Sequence, residues 1–464
     1  MAILVPGRQA AAEETLELDL QRVVEIALAR NPALQAEAER RVEVAGGVDE
    51  VAADAWPQLD LVNSWSRSRN PSFLNSPDFE DIVGLFPDFE PGEQEQWDFA
   101  LRLEQTLYSG GKVRAAIDLA ELVVDITEAQ IGTVELDTAL AAVEAYHRLQ
   151  QAKAALATVE IQRQARQLTL EAVEGRFELG AATQLEMLRA RSSLASVEPE
   201  IARIRGDVDI ARSRLRVELG LDPQTPVAVA DPAPELPEAP ALADLLAWAR
   251  AERPELRDLE LQAEALGRQR VITVADGRPQ LELSGSYGRQ VRLLEDVSDA
   301  LFDNWVVSLG LTWSLFDGGR RKGELVQLES QKQQLEWQRE DLERRIAHQL
   351  EEALAGYRTA LERLTAAEVS AEASQEASRV ALESYREGAA IQADLLDAQE
   401  EATRAELVRV EAVTDAWVQA ARLLRATGRL PTRSWSSAAE PLETPAVTEQ
   451  PEQTEPSPDQ ETEG

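Results

Sequence analysis

Cysteines, histidines and paired carboxylates carry much of protein chemistry, and this chain offers few of them in a usable arrangement. It has no cysteine, which removes disulfides, thiolate metal sites and catalytic thiols. Its two histidines, His147 and His348, lie at unrelated positions of the repeat described below and read as ordinary helix residues. Glu351 and Glu352 are adjacent in sequence, so their carboxylates diverge on a helix. Asp394 and Asp397, taken alone, read as two exposed helix acids. The chain shows no phosphate loop, nucleophile constellation or metal-ligand set. These residues predict no enzyme, no metal and no cofactor.

The bulk composition narrows the partners. With 84 acidic and 47 basic residues the formal net charge is −37, which would repel nucleic-acid phosphates. No run of about 18 apolar residues occurs, so no transmembrane helix is expected. The opening "MAILVPGRQAAAEE" has a short apolar patch but no basic leader. It reads as an export-signal remnant or a disordered tail.

What must position any functional residue is a unit written twice. "RNPAL" at 30–34 matches "RPEL" at 253–256, and "WPQLDL" at 56–61 matches "RPQLEL" at 278–283. Pro57 and Pro279 are 222 residues apart; Tyr108 and Phe316, Gly180 and Gly388, and Gly220 and Gly428 are each 208 apart. The difference of 14 falls in the loop between 66 and 97, which is longer in the first copy. A constant offset across a helical hairpin marks a tandem duplication of one large unit, because insertions collect in loops.

Each copy has the same order: a helix (about 19–54, about 241–275), a proline, two strands, a Gly-Gly pair, a very long helix, a break at Gly180 or Gly388, and a shorter returning helix. The expected organisation is an unclear N-terminal segment 1–15, a first repeat 16–220, a proline-rich link 221–240, a second repeat 241–430 and a disordered acidic tail 431–464.

The strands alternate. Trp97, Phe99, Leu101 and Leu103 interleave with Asp98, Ala100, Arg102 and Glu104. Trp305, Val307, Leu309, Leu311, Trp313 and Leu315 interleave with smaller or polar residues. Period two puts one set on each face of a sheet, and a tilted strand of about 9–11 residues can cross a bilayer. Four strands cannot close a channel-forming barrel. Either something else covers them or several chains pool theirs. The run from Lys112 to about Phe177 has no proline and as one helix would extend roughly 100 Å. Its imperfect apolar seam requires partner helices on both flanks.

Order, duplication and spacing together resemble the TolC-like outer membrane efflux proteins, or outer membrane factors, from about Leu16 to Leu430. The marks are "ALARNPAL" at 27–34, "PQLDL" and "PQLEL", "TLYSGGKVRAA" at 106–116 with "SLFDGGRRKGE" at 314–324, and "RFELGAATQLEMLRA" at 176–190 with "SYREGAAIQADLLDAQ" at 384–399. The resemblance implies a mostly α fold with a membrane β-barrel. Four strands per chain would pool into a trimeric twelve-stranded barrel joined to a long α-helical periplasmic tube. It implies a homotrimer in outer membrane lipid, a periplasmic adaptor (membrane fusion protein) and an inner-membrane transporter as partners. The chain would be the exit duct of a tripartite efflux or type I secretion system.

Site residues follow from the same resemblance. Gly110, Gly111, Gly318 and Gly319, with Pro57 and Pro279, would make the strand-to-helix turns. Gly180, Ala181, Thr183 and Glu186, with Gly388 and Ala389, would form the adaptor-binding tips. Asp394 and Asp397 would line a channel constriction, where three copies of each would favour cations. The chain departs from the family pattern at Ala181 and Ala389, where a larger apolar residue is common, at Ile391 for Ser or Thr, and at Glu186 for Asp. Ala390 stands where some relatives carry an arginine lock, so that lock is not expected. A soluble extended coiled-coil scaffold is the rival reading. It explains the helices and the acidity but not the alternating strands or the Gly-Gly turns.

Overall fold

A computed structural model describes residues 16–69, 93–230, 236–291 and 303–431. The N-terminal segment 1–15, most of the first-copy loop, part of the link and nearly all of the acidic tail lie outside the described residues.

The first copy begins with a short strand β1 (Leu16–Leu18) and two helices, α1 (Leu20–Arg30) and α2 (Pro32–Ala53). Strands β2 (Gln58–Arg69) and β3 (Glu93–Tyr108) follow, then α3 (Lys112–Glu178), α4 (Gln184–Ala195) and α5 (Val197–Glu218). After strand β4 (Val227–Val229) the second copy runs α6 (Leu242–Glu252), α7 (Pro254–Ala275), β5 (Gln280–Val291), β6 (Asp303–Thr312), α8 (Arg320–Glu387) and α9 (Gln392–Ala426).

Where the sequence suggests one entering helix per copy, each is broken into 11 and 22 residues. The cause is local. Pro32 and Pro254 each occupy the first position of a new helix, where the missing N–H costs nothing. Asn31 caps the second piece by accepting from the Ala33 N–H at 2.9 Å. The returning helix of the first copy is also broken, at Ser196, because Pro199 is tolerated only in a first turn. Leu407 occupies the corresponding place in the second copy, and α9 runs unbroken for 35 residues.

The main sheet has the order β2-β3-β5-β6, antiparallel throughout. The helices that adjoin it pack in the matching order α2-α3-α7-α8. Towards the far end, α4 and α5 lie against α3, which packs on α9, which packs on α8. So each long helix has one set of neighbours near the strands and another near the Gly180 and Gly388 turns. Alternation in the second copy reads through Leu315, but β6 ends at Thr312; Trp313 Nε1 instead donates to the Gly277 carbonyl at 3.1 Å.

The duplication is visible in the packing. Val23, Ala27, Ala142, Leu149 and Leu215 are buried together in the first copy. Leu245, Ala249, Leu350, Tyr357 and Leu423 are their counterparts in the second. These two clusters lie where the entering and returning helices meet along α3 and α8. There β1 and β4 pair in parallel, Leu16 to Val227 through Leu18 to Val229. The proline-rich link therefore contributes a strand as well as a connection.

Candidate functional site

Three features carry the functional expectations: the sheet, the glycine turns and the face bearing Asp394 and Asp397. In the sheet, Leu59, Leu61 and Trp65 of β2 and Trp305, Val307, Leu309 and Leu311 of β6 are exposed apolar residues at alternate positions. Leu61 is 82% exposed, Trp305 69% and Leu309 64%. A soluble sheet would bury these against helices. Here the helices continue the strands rather than cover them. No described helix is long and apolar enough to cross a membrane.

The two glycine pairs stand between strand and helix, but Pro57 and Pro279 do not: they follow α2 and α7 and immediately precede β2 and β5, at helix-to-strand turns, because a strand can spare an N–H at its start. Gly110 and Gly111 have φ of +66° and +93°, and Gly318 and Gly319 +68° and +91°. Two consecutive left-handed residues are readily tolerated only by glycine. The Gly110 carbonyl accepts from Arg278 Nη1 at 2.7 Å. Asp317 accepts from the Gly319 N–H at 3.0 Å. The Arg321 guanidinium, with that N–H, pulls the Asp317 carboxyl down to about 2.

The far turns are two copies of one helix stop. Gly180 (φ +72°) and Gly388 (φ +80°) take the left-handed conformation. The Ala181 N–H donates to the Arg176 carbonyl at 2.7 Å and the Gly180 N–H to Phe177 at 2.9 Å. The Ala389 N–H donates to Ser384 at 2.8 Å and the Gly388 N–H to Tyr385 at 3.1 Å. This is the Schellman arrangement. Thr183 and Glu186 then form a capping box: Thr183 Oγ1 accepts from the Glu186 N–H at 3.2 Å, and Glu186 Oε2 from the Thr183 N–H at 2.6 Å. The Thr183 N–H is the chief reason the Glu186 carboxyl sits below its usual range. These two motif residues thus start α4. Ile391 at the second tip has no side chain that can cap. Gly180, Ala181, Thr183, Gly388 and Ala389 are all exposed.

The two tips of one chain are tied together. Arg176 Nη1 donates to the Tyr385 carbonyl, and its guanidinium lies 4.8 Å from the centre of the Tyr385 ring. Gln392 Nε2 donates to the Glu186 carbonyl at 2.7 Å. Burial raises the Tyr385 hydroxyl above its usual value. Sequence reading missed Arg176 and Gln392 because neither has a matching role in the motif. It also missed the exposed apolar residues beside the turns, Leu179 at 85% and Leu185 at 57%. Their signal was present as leucines flanking the glycine turn, Leu179 at the end of α3 and Leu185 in the first turn of α4.

Asp394 and Asp397 are exposed and lie one turn apart on α9. Behind them, Arg166 is buried and donates to Ser193 Oγ at 2.7 Å. Burial lowers its pKa, opposed by the charges of Glu400 and then Asp397. One of the two acids therefore faces solvent while its field acts on a buried guanidinium. Among the described residues no group of three or more His, Cys, Asp or Glu is placed to hold a metal ion.

Comparison with known proteins converges on one family. The model for outer membrane efflux proteins matches residues 23–221 and 245–429, one match in each copy. The chain is 24% identical to outer membrane protein OprJ of Pseudomonas aeruginosa over 445 residues, covering 91% of this chain and 88% of OprJ. Its fold superposes on the outer membrane protein VceC of Vibrio cholerae with a TM-score of 0.70 at 23% identity, covering 88% of this chain and 96% of VceC. The CmeC outer membrane channel of Campylobacter jejuni gives 0.71 at 15% identity, with 94% and 96% covered. With the duplicated hairpin, the exposed apolar sheet and the paired glycine turns, these matches lead to one assignment: the chain belongs to the outer membrane efflux protein family.

Proposed function

We propose that three copies of this chain close a twelve-stranded barrel in the outer membrane. Their helices continue it as one periplasmic tube, the exit duct of a tripartite efflux or type I secretion system. The observation that carries the reading is the sheet. Four strands expose an apolar face and leave two edges, β2 and β6, without a strand partner among the described residues. Open edges do not persist in lipid, where every backbone group needs a partner. Because the adjoining helices repeat the strand order, whatever closes the sheet also closes the tube.

The tips formed by Gly180, Ala181, Thr183, Glu186, Gly388 and Ala389 would meet a periplasmic adaptor, with Leu179 and Leu185 adding apolar contact. The adaptor would connect the tube to an inner-membrane transporter. Asp394 and Asp397, exposed on α9 near those tips, would narrow the passage and set its charge preference. The duct's work is to admit and pass a substrate, which requires no covalent step. A coiled-coil scaffold would leave the sheet's apolar face in water with nothing to cover it.

Native mass spectrometry of protein extracted from outer membranes tests the assembly. A detergent-dependent species of three times the chain mass is expected. A monomer that stays in solution without detergent would overturn the duct.

A further inference from the structure

Where α9 packs between α3 and α8 there is a cavity of about 650 Å³. Arg148 of α3, Arg363 of α8 and Arg422 of α9 line it, with Glu411 and Asp415. Three guanidiniums therefore meet two carboxylates, in a chain of 84 acids and 47 bases. Arg422 is already held, by Glu144 at 2.8 Å. Arg148 and Arg363 are exposed and have no ion pair or side-chain hydrogen bond among the described residues. The repeat does not account for them. The 208 offset puts Gly356 at the place of Arg148 and Ala155 at the place of Arg363, so the packing common to both hairpins needs neither arginine.

The cavity lies on the same side of α9 as the acids of the proposed constriction. Asp394, Glu401, Val408, Asp415 and Arg422 are each seven residues apart, which makes them one column of a helix in coiled-coil packing. Val408, Asp415 and Arg422 of that column line the cavity. Val413 and Trp417 lie about half a turn away and face the link instead, sharing a second cavity with Val229 and Ala230. Gln150 Nε2 and Lys153 Nζ tie the link there by donating to the Ala230 and Val229 carbonyls at 2.6 and 3.1 Å. Three copies of the link inside a tube would obstruct it. The link face is therefore the outside of the wall, and the arginine face is the inside.

We propose that this cavity is an oxyanion station on the inner wall of the duct, holding a carboxylate or phosphate group of a passing substrate. The station rests on the three-chain reading above and adds a substrate class to it, small organic molecules that bear an anionic group. A guanidinium presents N–H donors in a planar fork that matches carboxylate and phosphate oxygens, and a cavity of this size suits a small organic ligand. Arg148 and Arg363 supply the uncommitted donors. Glu411 and Asp415 keep the hold weak, as a passage requires of a site that must also release. Asp394 and Asp397 stand nearer the tip on the same side, so a substrate that also carries a cationic group meets a partner of each sign on its way.

Block of single-channel current in planar bilayers tests the station. Citrate and pyrophosphate are the probes, added on the barrel side at low salt, where exposed charges are least screened. Arg148→Gln with Arg363→Gln should raise the concentration for half-block roughly tenfold, the loss of two charged donors. Glu411→Gln with Asp415→Asn should lower it several-fold. Block by citrate alone assigns the station to carboxylates, and block by pyrophosphate alone assigns it to phosphates. Conducting trimers that neither probe blocks overturn the station and leave the duct standing. Block that is the same in the wild type and in either variant does so too, and if one variant does not assemble the other decides. Wild type that forms no conducting trimer removes the duct reading and the station with it.

Discussion

Asn31 and Arg253 occupy the same place in the two copies and close the same contact with different chemistry. Asn31 Nδ2 donates to the Glu218 carbonyl at 3.0 Å, and Arg253 Nε donates to the Ala426 carbonyl at 2.8 Å. Each side chain stands at the break between the two entering helices and satisfies the end of the returning one. The amide does this half-exposed. The guanidinium is only 4% exposed and also donates to Gln349 Oε1 at 2.9 Å. Arg253→Ala should therefore destabilise by about 3 kcal/mol, leaving buried acceptors unpaired. Asn31→Ala should cost about 1 kcal/mol. Thermal melting of the two variants in detergent gives the comparison.

The four helix-stopping glycines should not respond alike. A Cβ on Gly220 would lie 2.3 Å from the Arg30 carbonyl oxygen, whereas one on Gly180 meets nothing within 4 Å. Gly220→Ala combines left-handed strain with a backbone clash and should cost about 3 kcal/mol or more. Gly180→Ala should cost about 1 kcal/mol and leave trimers intact. Melting temperatures separate the two, and adaptor binding by the Gly180 variant then reports on the tip surface alone.

His147 should make the fold sensitive to acid. It is 4% exposed, stacks on Trp417 at 5.7 Å, and its Nδ1 lies 2.8 Å from Gln150 Oε1. Burial pulls its pKa down to about 4, opposed by the Gln150 contact. The unfolded chain binds a proton near pH 6.5, as an ordinary histidine does, so folding then requires the proton to leave. The stability contributed above that pH is lost as pH falls from about 6.5 to about 4, by about 3 kcal/mol in total. His147→Phe keeps the ring stack and should flatten that part of the melting profile. An unchanged slope would exclude His147 as its source.

Leu309→Arg places a charge on the apolar face of β6, where Leu309 is 64% exposed. Near the bilayer midplane such a change costs about 2–4 kcal/mol per chain, so three chains carry it together. The variant should be depleted from outer membrane fractions. Normal amounts of membrane-inserted trimer would contradict lipid contact at this face.

The double variant Asp394→Ala, Asp397→Ala tests the acidic face. Single-channel recording should show a several-fold fall in cation preference or weaker block by multivalent cations. Unchanged selectivity would contradict a constriction at these two residues.

Much of this architecture was legible because its signals are long. The 222 and 208 offsets, period-two strands and glycine pairs each repeat, and one copy checks the other. What stayed hidden is short or context-dependent. The strand pair β1 and β4 has three residues on each side, too few for alternation to register. The break at Ser196 depends on Pro199, whose effect is felt three residues upstream. Pro32 and Pro254 were visible, but apolar helical spacing on both sides masked the interruption. At the tips, the glycine motif marked the turn, and Thr183 and Glu186 proved to be its cap. The brace from Arg176 to the Tyr385 carbonyl joins elements about two hundred residues apart in one copy only, so no repeat could announce it.

Electron microscopy of the detergent-purified protein tests the central claim most directly. The account predicts three-fold particles roughly 130–150 Å long, from the rises of the long helices and of the strands, with a barrel at one end and a tapered tip at the other. Thin monomeric or dimeric rods without three-fold symmetry would contradict it.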